Sequence, residues 1–206
     1  MTARAPAFRH VRRGGRYLRV ADPSWVRPLD PRYARERGGR WNPPGSFPVV
    51  YLFSALDVAR SFVLGRFEGH PYDAFDLVPE TGPDLVETEV PPERFVDVVT
   101  AEGCLAAGLP ITYPRDEDGS PIPHERCRPI GERAWDRGEP GIACRSATAR
   151  RNDSGEELAW FARGPRGLRT RRRRAFAEWW VPLPAKARTG AAPSEDRDEL
   201  PDPSGG

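Results

Sequence analysis

The chain has 206 residues, of which 24 are proline, 20 glycine and 30% charged. That length suits one domain with a real core, and a net charge of +2 argues against a protein that holds polyanions by charge alone. The three cysteines, Cys104, Cys127 and Cys144, are odd in number and lack C-x-x-C spacing, which argues against a disulfide framework or a zinc site.

The N-terminal residues show no charged, apolar and cleavage regions in series, and no apolar run reaches bilayer length. The expectation is a soluble, cytoplasmic protein without membrane contact. Nearly all basic residues are arginine, with Lys186 the sole lysine, so a single arginine carries less functional information than usual. His10, His70 and His124 have no paired-ligand spacing, and the acidic turn 113–119 lacks the pattern of a calcium loop; no metal site is expected.

Residues 1–15 read as a loose basic leader, 16–183 as one folded unit and 184–206 as a tail with too little apolar content to order itself. Within the folded unit, Arg16–Ala21 and Phe47–Phe53 read as strands. Ser54 then offers an N-cap with Asp57 three positions on, and Val58, Ala59, Phe62, Val63 and Phe67 fall on one helical face. Leu85–Val90 and Phe95–Val99 read as two strands, and 101–107 and 130–137 as short helices. Gly141–Ala147, Glu157–Ala162 and Ala175–Val181 read as late strands. The fold class is α+β, with short helices set against a curved, mostly antiparallel sheet. The basic run Thr170–Arg174 lacks interleaved aromatics and reads as a solvated loop, so nucleic-acid binding is the weaker reading of it.

The stretch Gly38-Gly39-Arg40-Trp41-Asn42-Pro43-Pro44-Gly45 runs straight into the apolar strand. Two glycines allow close approach of a ligand to backbone amides, the arginine offers a planar fork for phosphate, and Trp41 and Tyr51 offer flat faces. On residue chemistry alone a plain proline–glycine turn, with a solvated arginine and a core tryptophan, is the stronger reading.

The element GGRWNPPG followed by VVYL resembles the RES domain family, named for arginine, glutamate and serine. Further resemblances follow in order: Tyr17-Leu18-Arg19-Val20 to the opening strand, Arg40 to the second arginine, Tyr51 to the following aromatic, the segment Pro129–Trp135 to a later helix, and Gly141–Ala147 to the strand carrying the serine, here Ser146. The resemblance spans roughly residues 17–181. It implies a fold similar to ADP-ribosyltransferase toxins and an activity that cleaves NAD by phosphorolysis or hydrolysis, releasing nicotinamide. It further implies no bound cofactor, with NAD as substrate and inorganic phosphate as a candidate co-substrate, and a cognate antitoxin with a helix-turn-helix region as partner. Carried over residue by residue, Arg40 and Ser146 are the catalytic candidates, and Arg19, Tyr51 and Gly39 the substrate-binding ones.

The chain departs from the family pattern at one position. The family glutamate, about eleven residues after Tyr51, falls on Phe62, which reads as core. Three readings follow: a carboxylate from elsewhere, with Glu157 and Glu178 as candidates; catalysis using phosphate itself as the anion; or a silent nucleotide- or partner-binding protein. An RNA-associated role for the arginine run is the further alternative.

Overall fold

The structure is a computed structural model and describes residues 7–67, 70, 71, 76, 80, 82–148, 155–164 and 167–180. The expected tail, 184–206, lies outside these residues. The elements run β1 (His10–Ala21), α1 (Arg32–Arg37), β2 (Val49–Phe53), α2 (Leu56–Gly65), β3 (Asp84–Val98), α3 (Ala101–Ala107), α4 (His124–Asp136), β4 (Gly141–Arg145), β5 (Glu156–Phe161), β6 (Thr170–Arg174) and α5 (Phe176–Trp179). The α+β class is as the sequence indicates, with six strands that are antiparallel except for the β3–β4 pair.

The sheet order is β1-β2-β5-β4-β3-β6, and β1 also pairs with β3. Five strands therefore close into a ring, and β6 hangs on its outside, paired with β3. Strand alternation sorts the side chains accordingly. Tyr17, Ala21, Val50, Leu52, Val86, Phe95, Ala143 and Leu158 make one cluster and fill the ring. The outward faces carry two others. Val49, Val96, Ile142, Cys144 and Phe161 pack against Cys104, Cys127, Ile130 and Ala134 of α3 and α4. Leu18, Phe53 and Leu85 pack against Val58, Ala59 and Val63 of α2 and against Phe176 and Trp179.

Several elements differ from their sequence signals. β1 begins at His10, and Phe8 is buried, so residues 8–15 of the expected loose leader enter the fold, while residues 1–6 lie outside the described residues. The two strands expected over 85–99 are one strand, β3, running through Pro91 and Pro92. The prolines are accommodated where β1 shifts register between Arg13 and Gly15: a Cβ on Gly14 would lie 2.5 Å from the Pro92 Cα. α4 starts at His124, six residues before the expected helix, and keeps Pro129 inside it. α2 has Ala55, not Ser54, at its N-cap; the Ser54 hydroxyl instead accepts from the Glu156 N–H at 3.1 Å.

Within the strand expected over 175–181 the described residues form the short helix α5, whose Phe176 and Trp179 are buried; residue 181 lies outside them. The arginine run expected as a loop is strand β6. Arg173 ties it down by donating to the Asp84 carboxylate and to the carbonyls of Pro23 (2.7 Å) and Trp25 (2.8 Å). No helix among the described residues is long and apolar enough to cross a membrane.

Candidate functional site

The turn before β2 is held by its own groups. Asn42 is fully buried, and its Nδ2 donates to the Ala34 carbonyl at 2.6 Å. The Tyr51 hydroxyl donates to Asn42 Oδ1 at 2.7 Å and accepts from the Trp41 N–H at 3.0 Å. Gly39 is glycine because Tyr51 lies on it: an added Cβ would sit 2.4 Å from the phenol oxygen and 2.6 Å from the ring. The Gly39 N–H donates to the Asn42 carbonyl at 2.8 Å, and its carbonyl accepts from Arg128 Nε at 3.2 Å. α4 closes over the same turn at Gly131, where a Cβ would meet the Trp41 carbonyl.

Arg40 projects from this plug. Its Nη1 donates to the Ile122 carbonyl at 3.0 Å, with the Cys127 sulfur 4.0 Å away. No carboxylate lies within ion-pair distance of it among the described residues, so most of the guanidinium's five donors are uncommitted. Burial pulls its pKa down, but Tyr113, Cys127 and Cys144 outweigh that effect and the net shift is upward. His124, at the start of α4, is shifted down by burial and by the charges of Arg40 and Arg128. The approach to Arg40 is thus cationic.

Across from it stands a carboxyl. Strand register places Glu157 of β5 beside Phe53 of β2 on one side and Cys144 of β4 on the other, all on the outer face. Ser146, two residues beyond Cys144, shares that face. Its buried hydroxyl donates to Glu157 Oε1 at 2.6 Å. The Thr148 N–H donates to the same hydroxyl at 3.3 Å, and Thr148 Oγ1 lies 3.1 Å from it. Burial raises the pKa of Glu157, while the Ser146 hydrogen bond, the Arg40 charge and a hydrogen bond from the Ala147 backbone oppose that rise. Burial also raises Tyr51, Tyr113 and Cys144. Those three are neutral near pH 7, leaving Arg40 and Glu157 as the cluster's cation and acid. Burial likewise raises Cys104 and Cys127, so none of the three thiols is a ready nucleophile.

Of the residues expected in a site, Arg40, Tyr51 and Ser146 meet around Glu157. Gly39 is adjacent, but its N–H is engaged by the Asn42 carbonyl and its carbonyl already accepts from Arg128, so it offers no free backbone donor to a ligand. Tyr51 is clamped by Gly39, Asn42 and Trp41, and anchors the turn that presents Arg40 rather than standing free as a stacking face. Arg19 is elsewhere. Leu18 is paired with Phe53, so Arg19 points into the ring while Tyr51, two residues from Phe53, points out. Arg19 is 6% exposed, has a buried Nη1 without a partner, and lies under Trp25 with its carbon Cζ 5.6 Å from the ring centroid. Burial lowers its pKa to about 10, with Asp30 and Tyr33 opposing.

Of the two candidate carboxylates, Glu178 is exposed on α5 and only Glu157 enters the cluster. Sequence reading missed Asn42 as the hub of the turn, although a polar amide wedged between tryptophan and two prolines is a signal for a satisfied buried group. It also missed Arg128, hidden by the late start assigned to α4. No group of three His, Cys, Asp or Glu among the described residues could hold a metal ion.

No curated protein sequence matches the chain. A solved chain of the M. tuberculosis MbcT–MbcA toxin–antitoxin complex is similar in structure, with a TM-score of 0.65 and 22% identity over 82% of this chain and 89% of that one. At that identity the likeness is one of fold. The sequence model of the RES domain matches residues 9–183, nearly all of the chain that the structure describes, and the chain belongs to the RES domain family.

Proposed function

We propose that the chain is a toxin of a toxin–antitoxin pair that consumes NAD by breaking the bond between nicotinamide and ribose. The observation that carries this reading is the guanidinium of Arg40, which has a carbonyl and a thiol for neighbours and no carboxylate within ion-pair distance among the described residues. An unpaired, part-buried arginine beside a hydrogen-bonded serine–carboxyl pair suits a ligand bearing phosphate. Family membership supports NAD as that ligand, and the fold shared with a chain of a toxin–antitoxin complex supports a protein partner that silences the activity, with a helix-turn-helix region as the expected form of that partner.

In the proposed reaction the C1′–N bond breaks and its electron pair passes to the nicotinamide nitrogen, which loses its positive charge. C1′ becomes oxocarbenium-like and is captured by an oxygen of inorganic phosphate or of water. Arg40 holds a phosphate oxygen of NAD or of the attacking phosphate. Arg19 lies on the other face of β1, so a clamp of both arginines on one pyrophosphate is not part of this reading.

The test is nicotinamide release from NAD by the purified chain, with and without inorganic phosphate, beside Arg40→Ala. Release by the parent and its loss in the variant are expected. A parent that binds NAD without turning it over would replace this reading with a silent nucleotide-binding role.

A further inference from the structure

We propose that Glu157 is the catalytic carboxylate of this centre and that Ser146 is its positioning residue. The inference rests on the NAD-cleaving reading and identifies which side chain of this chain answers the positive charge developing on the ribose.

Three observations lead to it. First, Glu157 is the carboxyl that enters the cluster of Arg40, Tyr51, Tyr113 and Cys144, and these are the titratable groups surrounding it from the turn, β2, the loop after α3, and β4. Second, it is aimed. Ser146 Oγ holds Oε1 at 2.6 Å. One donor occupies about a quarter of the roughly four acceptor directions of a carboxylate, leaving the rest for a ligand. Third, it lacks the partner a structural glutamate would have. Its neighbour Glu156 is neutralised by Arg13 through a two-pronged contact of 2.6 and 2.8 Å, whereas no arginine donates to Glu157 among the described residues.

A half-buried carboxyl without an ion-pair partner is costly unless something cationic completes it. The C1′ cation formed during nicotinamide departure is such a group. Glu157 would stabilise it as an anion, with no proton transferred when phosphate attacks. When water attacks, the carboxylate accepts the proton that water loses as the C1′–O bond forms. Ser146 touches the carboxyl and acts through it, fixing its orientation before the substrate arrives.

The experiment compares the parent with Glu157→Gln, Ser146→Ala and Glu178→Gln. It measures nicotinamide release across pH, NAD affinity by calorimetry and thermal stability. Glutamine keeps the shape and can still accept from Ser146. Glu157→Gln should bind NAD within about threefold of the parent yet lose about a hundredfold or more in kcat, and its pH profile should lack the acid limb. Ser146→Ala should move that limb to higher pH, since a donor that favours the carboxylate has gone. Glu178→Gln should match the parent. A Glu157→Gln variant that releases nicotinamide within about threefold of the parent would overturn the proposal, as would an acid limb unmoved in Ser146→Ala; the second outcome decides the matter if Glu157→Gln does not fold. A parent with no NAD turnover would instead overturn the NAD-cleaving reading, and this assignment with it.

Discussion

Phe62 of α2 lies against Phe53 of β2, ring centroids 5.0 Å apart, and Phe53 is the cross-strand neighbour of Glu157. Phe62 is half-buried at the margin of its cluster, not in the sealed core expected from its helical face. One aromatic ring therefore separates Phe62, where the family resemblance implies a glutamate, from the Glu157 carboxyl. Introducing a second carboxylate by Phe62→Glu would remove the ring contact and set like charges near each other, raising Glu157 further. We expect a loss of about 1–3 kcal/mol in chemical denaturation and no gain in nicotinamide release. A variant as stable as the parent and faster in turnover would show that α2, and not β5, is the natural seat of the acid.

The turn around Tyr51 makes a separate prediction. Gly39→Ala must push the phenol ring away, because the added methyl carbon falls 2.4 Å from its oxygen. That displacement breaks the hydrogen bonds to Asn42 and Trp41 at once. Tyr51→Phe removes the same two bonds without the clash, leaving the Trp41 N–H and the Asn42 amide oxygen unpaired, at a cost of about 1–3 kcal/mol. Gly39→Ala should cost more than Tyr51→Phe in urea unfolding. If the alanine variant were the milder of the two, the close packing of turn and ring would be refuted.

The parts of this fold legible in the sequence are those where local pattern and tertiary role agree. The helical face of Val58, Ala59 and Val63 and the apolar run 49–53 both lie where their periodicity puts them. The misses have physical causes. Pro129 resembles a first-turn proline, yet α4 begins at His124, so the arginine just before it was left out of the site. β6 has no apolar alternation because it is an outer strand, held by pairing to β3 and by Arg173 rather than by burial. The site was half legible: Arg40 and Ser146 stand out by motif, whereas the roles of Gly39 and Arg19 depend on strand facing and on which backbone groups are already engaged. Glu157 could be named as a candidate but not chosen over Glu178 until β5 was paired with β4.

The arginines of β6 separate into two kinds. Arg173 serves Asp84, which is only 8% exposed, as well as the carbonyls of the 22–25 segment. Arg171 and Arg172 are exposed, and neither forms an ion pair with a carboxylate among the described residues. Arg173→Ala should destabilise the chain by about 2–4 kcal/mol, mainly by stranding Asp84 without its cation. Arg171→Ala and Arg172→Ala should each stay within about 0.5 kcal/mol of the parent. Equal effects at all three positions in denaturant titrations would mean that Arg173 does not hold the strand in place.

Glu157 also sets a sign for the pH dependence of stability. Its pKa is raised in the folded chain by burial, so the folded state keeps this proton at pH values where the unfolded chain has released it. Its contribution to stability is therefore complete below the unfolded carboxyl range and declines as pH rises through the folded pKa. Glutamine at this position cannot ionise and escapes that decline. The difference in Tm between Glu157→Gln and the parent should consequently grow in favour of the variant from about pH 4 to about pH 8, the unfolded glutamate titrating near 4.3. Other carboxyls titrate over the same range but are common to both proteins and cancel in the difference. Melting curves of the two at several pH values, in one buffer series at constant ionic strength, provide the measurement. A difference that stays flat would mean that the carboxyl is not raised in the folded state, and a difference that shifts toward the parent would mean that Arg40 and Ser146 together outweigh its burial. Adding NAD to the same series tests the site from the other side. A ligand that turns cationic at the ribose only during reaction should leave the ground-state trend in place, so a trend abolished by bound NAD would indicate that Glu157 already meets the positively charged nicotinamide ring in the resting complex.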